Sequence, residues 1–388
     1  MANISKLATA KQVHDVVVYG ATGYTGQLTC EFLAKLGVPF TASGRNQARL
    51  DELVAQWRAD GAHCSAVAVP HTQEGLRGLF KHAKVVINIS GPFLLLGEAV
   101  VEAALASNCH YIDSTGEQEF MLDVKRKFGD RFRGKGLLLS PSVSFLFGPG
   151  TMGAELCVES SGIHDIEVIY APPSLQTMAS LQSMWRTVIR DNSSIVRGKL
   201  QKIDGIGVIK RKLPDGTQRK AVCIGTSEAT YLMDDRRVHN CEVYFASNDL
   251  ARAVPVFRFW KFLTRFISRD ALDRWSDKLI ETFKKNPGRE EPESGRFVIT
   301  VTGKGPGGTV EVVMNGTSPY MLTGFLCAVA AQTLLQGKPL ATGFVSMSKA
   351  FGADYLIKRL EEAGTFTTIK RHVAGGAQQP ANTRRHAG

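Results

Sequence analysis

A chain of 388 residues, 44% hydrophobic and 21% charged, has the balance of a globular protein with room for roughly two or three domains, which excludes a disordered or fibrous polymer. Its cysteines lie scattered at 30, 64, 109, 157, 223, 241 and 327, with no C-x-x-C pair and no His/Cys cluster at zinc spacing, so reduced thiols in a cytoplasm are expected and a metal is not. The net charge of +11 is unevenly spread, but no helix-turn-helix, RNA-recognition or zinc pattern accompanies it, so nucleic acid is not an expected partner.

Met1 to Lys11 lacks an apolar h-region, and no signal peptide is expected. Asp15-Val16-Val17-Val18-Tyr19 is a short β-branched run that predicts a buried parallel strand. Gly20-Ala21-Thr22-Gly23-Tyr24-Thr25-Gly26 follows, and from Gln27 to Leu36 the residues Leu28, Phe32, Leu33 and Leu36 recur at helical spacing. Glycines between a strand and a helix suit a dinucleotide, whose pyrophosphate binds the N–H groups of a helix N-terminus. Gly20 permits the tight turn, Gly23 lets backbone approach the phosphates, and Gly26 lets helix and strand pack closely. Thr22, Tyr24 and Thr25 complete the candidate cofactor loop. The alternative is a glycine-rich turn with no ligand. The G-x-x-G-x-x-G spacing is similar to the fingerprint of extended-type and NADP-preferring Rossmann enzymes.

The second strand is Pro39 to Ser43, with a helix from Gln47 to about Asp60. NAD sites place a carboxylate near the end of this strand to hold the ribose 2′-OH. Here the end reads Ser43-Gly44-Arg45-Asn46, and an arginine among small neighbours suits a 2′-phosphate, so NADP(H) is favoured over a merely solvated Arg45. A third strand at Ser65 to Val69 precedes a helix from Gln73 to His82. The fourth, Lys84 to Ile89, ends in Ser90-Gly91-Pro92, which lies where a nicotinamide ribose would pass. Helix Glu98 to Ala106, strand Cys109 to Asp113, the turn Ser114-Thr115-Gly116-Glu117 and strand Gly136 to Ser140 complete an α/β unit, a Rossmann-type doubly wound parallel sheet.

After Pro149 the pattern changes. Strands are expected at 165–170, 206–213, 218–224, 242–246, 295–303 and 308–315, with helices at about 176–196 and 255–285, which describes a second α+β domain with a mixed or antiparallel sheet. The uncharged run Thr317 to Gly337 predicts a helix buried in a globular core rather than a membrane span, because Ser318, Pro319, Thr323, Gln332 and Gln336 dilute it. The expected division is 1–148 for the NADP-binding domain and 149–338 for a substrate and dimerisation domain. Helices packing back on the first domain follow at 339–372, then a disordered tail at 373–388. A second copy of the chain is an expected partner.

Four stretches together resemble the saccharopine dehydrogenase-like oxidoreductases, particularly bacterial trans-acting enoyl reductases. They are the glycine loop, Ser43-Gly44-Arg45-Asn46, Gly91-Pro92-Phe93 and Tyr111-Ile112-Asp113-Ser114-Thr115-Gly116-Glu117. The likeness runs over roughly residues 15–370, with weaker echoes at Ser294-Gly295-Arg296-Phe297 and Ala363-Gly364-Thr365-Phe366. It implies a Rossmann domain, NADP(H), and a small hydrophobic substrate of acyl, polyketide or lipid type. The chain departs from its relatives after the sixth strand: Ser140-Pro141-Ser142-Val143-Ser144 stands where they carry a Gly-Phe-Asp-Ser type turn, so no catalytic residue transfers there.

No tyrosine has a lysine four residues later, which disfavours carbonyl reduction by a Ser-Tyr-Lys set. Enoyl reduction demands less, since a weak acid or water can protonate the enolate. Asp113 and Glu117 stand near the mouth of the cleft either as an acid or ribose anchor, or as a turn and helix-terminus pair. The non-catalytic alternative is an NADP(H)-binding regulator; a saccharopine-type C–N oxidoreductase is a third reading. In the basic stretch 256–269, Val256, Phe259, Trp260, Leu263, Phe266 and Ile267 share one helical arc, opposite Arg258, Lys261, Arg265 and Arg269. Three alternatives stand: an ordinary packed helix with a solvated basic face, peripheral contact with an anionic membrane, or a lid over an acyl chain.

Overall fold

Apolar runs punctuated by glycine build the first half of the computed structural model, which describes residues 13–173, 192–203, 206–223, 225, 227–263, 266–268, 271, 274–275, 278 and 295–374. The elements in order are β1 (Val16–Tyr19), α1 (Tyr24–Lys35), β2 (Phe40–Gly44), α2 (Gln47–Ala59), β3 (Cys64–Ala68), α3 (Gln73–Phe80), β4 (Val85–Asn88), α4 (Phe93–Ala106), β5 (His110–Asp113), α5 (Gln118–Gly134) and β6 (Leu138–Ser140). Then come α6 (Gly148–Val158), β7 (Asp165–Ala171), β8 (Ser193–Val196), β9 (Lys199–Lys202), β10 (Val208–Lys212), β11 (Gln218–Cys223), α7 (Ser227–Leu232), β12 (Asn240–Ala246) and α8 (Asn248–Leu263). The last are β13 (Phe297–Gly305), β14 (Gly308–Gly316), α9 (Pro319–Gln336), β15 (Gly343–Phe344), α10 (Met347–Phe351), α11 (Ala353–Glu362) and β16 (Phe366–Ala374).

The first sheet has seven parallel strands in the order β15-β6-β5-β4-β1-β2-β3. Alternation along β1 explains the two layers that cover it. Val16 and Val18 join a core with α1 and α2 residues such as Leu33, Leu50 and Trp57. Val17 and Tyr19 face the opposite way, into a core with Leu76 and Phe80 of α3, Val100 of α4 and Phe128 of α5. This is the expected doubly wound unit, with one strand added. The seventh, β15, returns from far along the chain to pair with β6.

The second sheet is mixed, in the order β10-β11-β12-β7-β13-β14-β16, with the β8–β9 hairpin attached to β12. Its neighbours are antiparallel except β12 and β7. One face, through Val168, Tyr170, Val243, Ile299 and Val301, packs with α6 into the same core as α1, so one apolar interior runs through both sheets.

The α9 helix joins the two halves. It runs alongside α1 in the same direction: Tyr320 meets Tyr24 edge to face at 5.4 Å, Phe325 meets Phe32 at 5.4 Å, and Gln332 Nε2 donates to the Leu36 carbonyl at 3.2 Å. A Cβ at Gly324 would stand 3.0 Å from the backbone of Leu28 and Thr29, so the two helices approach closely there. Among the described residues no helix is long and apolar enough to cross a membrane.

Three expectations need correction. Residues 193–196, expected to end a helix, form β8, which pairs Cys241 with Ile195; residues 176–191 of that expected helix lie outside the described residues. Residues 366–374, expected as helix and tail, form β16 along the full length of β14. The α1 helix begins at Tyr24 rather than Gln27, because glycine and threonine in its first turn hide the periodicity that the apolar residues show later.

Candidate functional site

The glycine loop is held by three strand ends. Gly20 has φ +93, and the N–H groups of Gly20 and Ala21 both donate to the Ser43 carbonyl, at 2.9 and 3.0 Å. A Cβ at Gly20 would lie 2.8 Å from the Ile89 carbonyl carbon, so the loop also presses on the chain leaving β4. Gly23 N–H closes the turn onto the Gly20 carbonyl at 3.1 Å and α1 starts at once. Gly23 has no side chain with which to cap α1, and no acidic residue occupies its first turn. An uncapped helix end of this kind is a seat for phosphate.

Beside it lies the end of β2. A Cβ at Gly44 would find only Thr22 Oγ1, at 3.9 Å, which puts open space next to the loop. Ser43 Oγ is buried there without a hydrogen-bond partner in the described structure. Arg45 is exposed, whereas the Asn46 side chain accepts from Arg49 N–H at 3.1 Å and caps α2. Sequence reasoning missed the pair whose charge environment Arg45 shapes. Tyr19 OH and His71 Nδ1 are 3.0 Å apart with their rings stacked at 5.9 Å. Burial, and then the Arg45 charge, hold His71 below its ordinary pKa. The donors and the open space fit a dinucleotide whose pyrophosphate sits on α1 and whose 2′-phosphate meets Arg45.

At the other end, Ser90, Gly91 and Pro92 leave β4 through a cis Gly91–Pro92 bond. A chain of buried hydrogen bonds braces them. Asn88 Oδ1 accepts from Ser90 N–H at 3.0 Å, while Asn88 Nδ2 donates to Tyr111 OH at 3.0 Å. Tyr111 OH donates to Asp113 Oδ2 at 2.8 Å, and Asp113 Oδ1 accepts from Thr115 N–H and Ser142 N–H at 2.9 and 2.8 Å. Glu117 accepts from Phe93 N–H at 3.2 Å and Leu94 N–H at 2.9 Å, the first turn of α4. Ser142 Oγ reaches the Thr115 carbonyl at 2.7 Å, and Ser227 Oγ reaches Ser142 Oγ at 2.9 Å, which brings in α7. Asp113 and Glu117 are both buried, so the structure favours the bracing role left open for them.

Burial pushes Asp113 up to about 7, against the pull of its three hydrogen bonds and with a small push from Glu117. Between its unfolded value, about 4, and that value the native state holds a proton that the unfolded chain has lost. Stability from this group is therefore full at low pH, falls as pH rises through the window, and levels off above about 7. Thermal melts of the wild type and Asp113→Asn at about pH 5 and about pH 8 should show the decline flattened in the variant by an amount on the order of a few kcal/mol. An unchanged slope would remove Asp113 as its source.

A second buried pair was not visible in the sequence. Tyr170 OH donates to Glu228 Oε1 at 2.7 Å and accepts from Phe147 N–H and Gly150 N–H, at 2.9 and 3.1 Å. It caps the N-terminus of α6 from the sheet face on which that helix packs. Gln118 and Ser193 make a reciprocal pair, 2.9 and 2.7 Å, that ties β8 to the start of α5.

Known proteins match the chain in two blocks. A model described as "Saccharopine dehydrogenase NADP binding domain" matches residues 16–131, and a family of unknown function, DUF5938, matches residues 148–370. A Caenorhabditis elegans "Lipid droplet localized protein" is 30% identical over 149 residues, covering 36% of this chain and only 35% of the relative. The human "Saccharopine dehydrogenase-like oxidoreductase" is 22% identical over 423 residues, covering 92% of this chain and 97% of the relative. Among solved structures, apo saccharopine dehydrogenase (L-Glu forming) from Saccharomyces cerevisiae shares the fold, with a TM-score of 0.58 at 12% identity, over 93% of this chain and 100% of that one.

Proposed function

The chain belongs to the saccharopine dehydrogenase-like oxidoreductases with an NADP-binding domain, and from that premise we propose that it reduces a C=C bond conjugated to a carbonyl in a hydrophobic acyl, polyketide or lipid-like substrate. The amides of Gly20 to Gly26 at the head of α1 would hold the pyrophosphate. Ser43, Gly44 and Arg45 would hold the 2′-phosphate, and Ser90 to Pro92 would line the nicotinamide ribose. Bound there, NADPH supplies a hydride to the β-carbon.

The observation that supports an enoyl substrate is the engagement of the two buried carboxyl groups behind Ser90–Pro92. Asp113 and Glu117 spend their oxygens on backbone amides and on Tyr111. A carbonyl reduction places negative charge on oxygen and wants a proton donor positioned at that oxygen. Hydride addition to an enoyl group leaves an enolate, which takes its proton at the α-carbon from water or a weak acid. The nematode relative's name places that protein on lipid droplets, where a lipid-like substrate would be at hand.

Two measurements test the proposal. The first follows NADPH fluorescence on titration with wild type and Arg45→Ala. A guanidinium–phosphate contact is worth about 1.5–2 kcal/mol, so NADPH should weaken by roughly 20-fold while NADH changes little. The second follows NADPH oxidation with α,β-unsaturated acyl thioesters, ketones and imines, and the enoyl compounds alone should turn over. Preferential turnover of a ketone or an imine would overturn the enoyl reading. Tight NADPH binding with no turnover of any of them would favour a nucleotide-sensing regulator instead.

A further inference from the structure

The amphipathic α8 helix is mounted with its apolar arc outward. It buries Leu250, Ala251, Val254 and Phe257, on the side that meets β11. The arc on its other side, Val256 and Phe259, stands in solvent, with Phe262 exposed beside it. Beyond the helix end the exposed residues continue with Phe266, Ile267 and Trp275. Phe259 is 58% exposed, Phe266 73% and Trp275 51%, values that a helix folded against its own sheet does not need to leave.

The rings fall into two contacting groups. Phe259 packs on Trp260 at 6.3 Å, Trp260 on Trp275 at 4.9 Å, and Phe262 on Phe266 at 5.3 Å. Among the described basic residues of the helix, Arg252 and Arg258 are exposed beside these rings. Arg258 reaches back to donate to the Ile206 carbonyl at 2.7 Å, and Lys261 is half-buried. From Arg252 to Trp275 the sequence has six basic residues against two acidic ones, Asp270 and Asp273. The neighbouring strands continue the charge: Lys210 lies directly opposite Lys220 across β10 and β11, a like-charge pairing that costs stability unless an anion is near.

We propose that this face, α8 with Phe266, Ile267 and Trp275, docks on the surface of an anionic lipid bilayer. The rings enter the boundary between headgroups and acyl chains, the indoles sit at the level where one edge is wet, and the basic rim meets the lipid phosphates. Charge selects this occupant over a second copy of the chain, since a two-fold contact would bring two such basic rims together. The inference does not depend on the substrate.

The test is flotation of the full chain with phosphatidylcholine vesicles, alone and with added phosphatidylglycerol, at low and high salt. Binding should require the anionic lipid, weaken with salt, and shift tryptophan emission to the blue. Phe259→Ser with Phe262→Ser should weaken it by roughly 30-fold, with the NADPH titration unchanged as the check on folding. Absence of vesicle binding by the wild type, or binding indifferent to anionic lipid, overturns the proposal. So does a solution dimer that the double variant converts to monomer without any vesicle binding.

Discussion

Gly26→Ala is expected to weaken NADPH by on the order of 100-fold or more and to lower the melting temperature. The new Cβ would lie 2.3 Å from the Gly20 carbonyl oxygen and 2.9 Å from Ala21 Cα, both backbone atoms of the loop that the phosphates would meet. Neither can swing away, because the loop amides are tied to the Ser43 carbonyl. The α1 helix cannot retreat either, since Gly324, Phe325 and Gln332 of α9 hold its other side. Overpacking of this kind costs about 1–3 kcal/mol of stability, and displacing the donors by about 1 Å removes the rest of the affinity. Gly23→Ala separates the two effects. Its Cβ would meet only the Gly20 carbonyl oxygen, at 3.4 Å, and otherwise faces the space for the ligand. Fluorescence titration and thermal melts of both variants should show Gly26→Ala losing affinity and stability and Gly23→Ala losing affinity alone. Normal NADPH binding by Gly26→Ala would mean that the loop is not the phosphate seat.

Elements carried by local pattern were legible in the sequence. β1, β2 and β4 are β-branched or apolar runs bounded by glycine or a charge, and the strand–glycine–helix order identifies the nucleotide end. Elements carried by tertiary pairing were not. β15 is two residues long and has no periodicity; it exists because α9 and its return bring Gly343 beside Leu138. β16 mixes threonine, isoleucine and basic residues, and its pairing with β14 decides its state. The same division holds at the site. Arg45 could be named from the strand end alone, whereas His71 comes to Tyr19 from 52 residues away. The braces that join Asp113 to Ser142 and Glu117 to Phe93 likewise need the folded sheet. For α8 the periodicity separates two arcs but carries no information on which one the protein turns outward.

Glu117 gives the clearest separation of a brace from a catalyst. Its two oxygens each take one amide of the α4 first turn, where the helix dipole also favours a negative charge. Glu117→Ala leaves those two amides without their acceptor beneath the Ser90–Pro92 segment, at a cost of about 2–4 kcal/mol. It should also cut NADPH-dependent turnover by on the order of 100-fold, because the segment proposed to line the nicotinamide ribose is no longer held in place. Glu117→Gln keeps one acceptor and the same shape, and should recover at least half of the lost stability and most of the turnover. If Glu117 were the proton donor instead, the glutamine would be as inactive as the alanine although it kept more of the stability. The limb of the pH–rate profile that belonged to the carboxyl would also vanish in both variants. A brace leaves that profile where it was and lets turnover follow stability, so melting temperatures and pH–rate profiles of the two variants distinguish the roles.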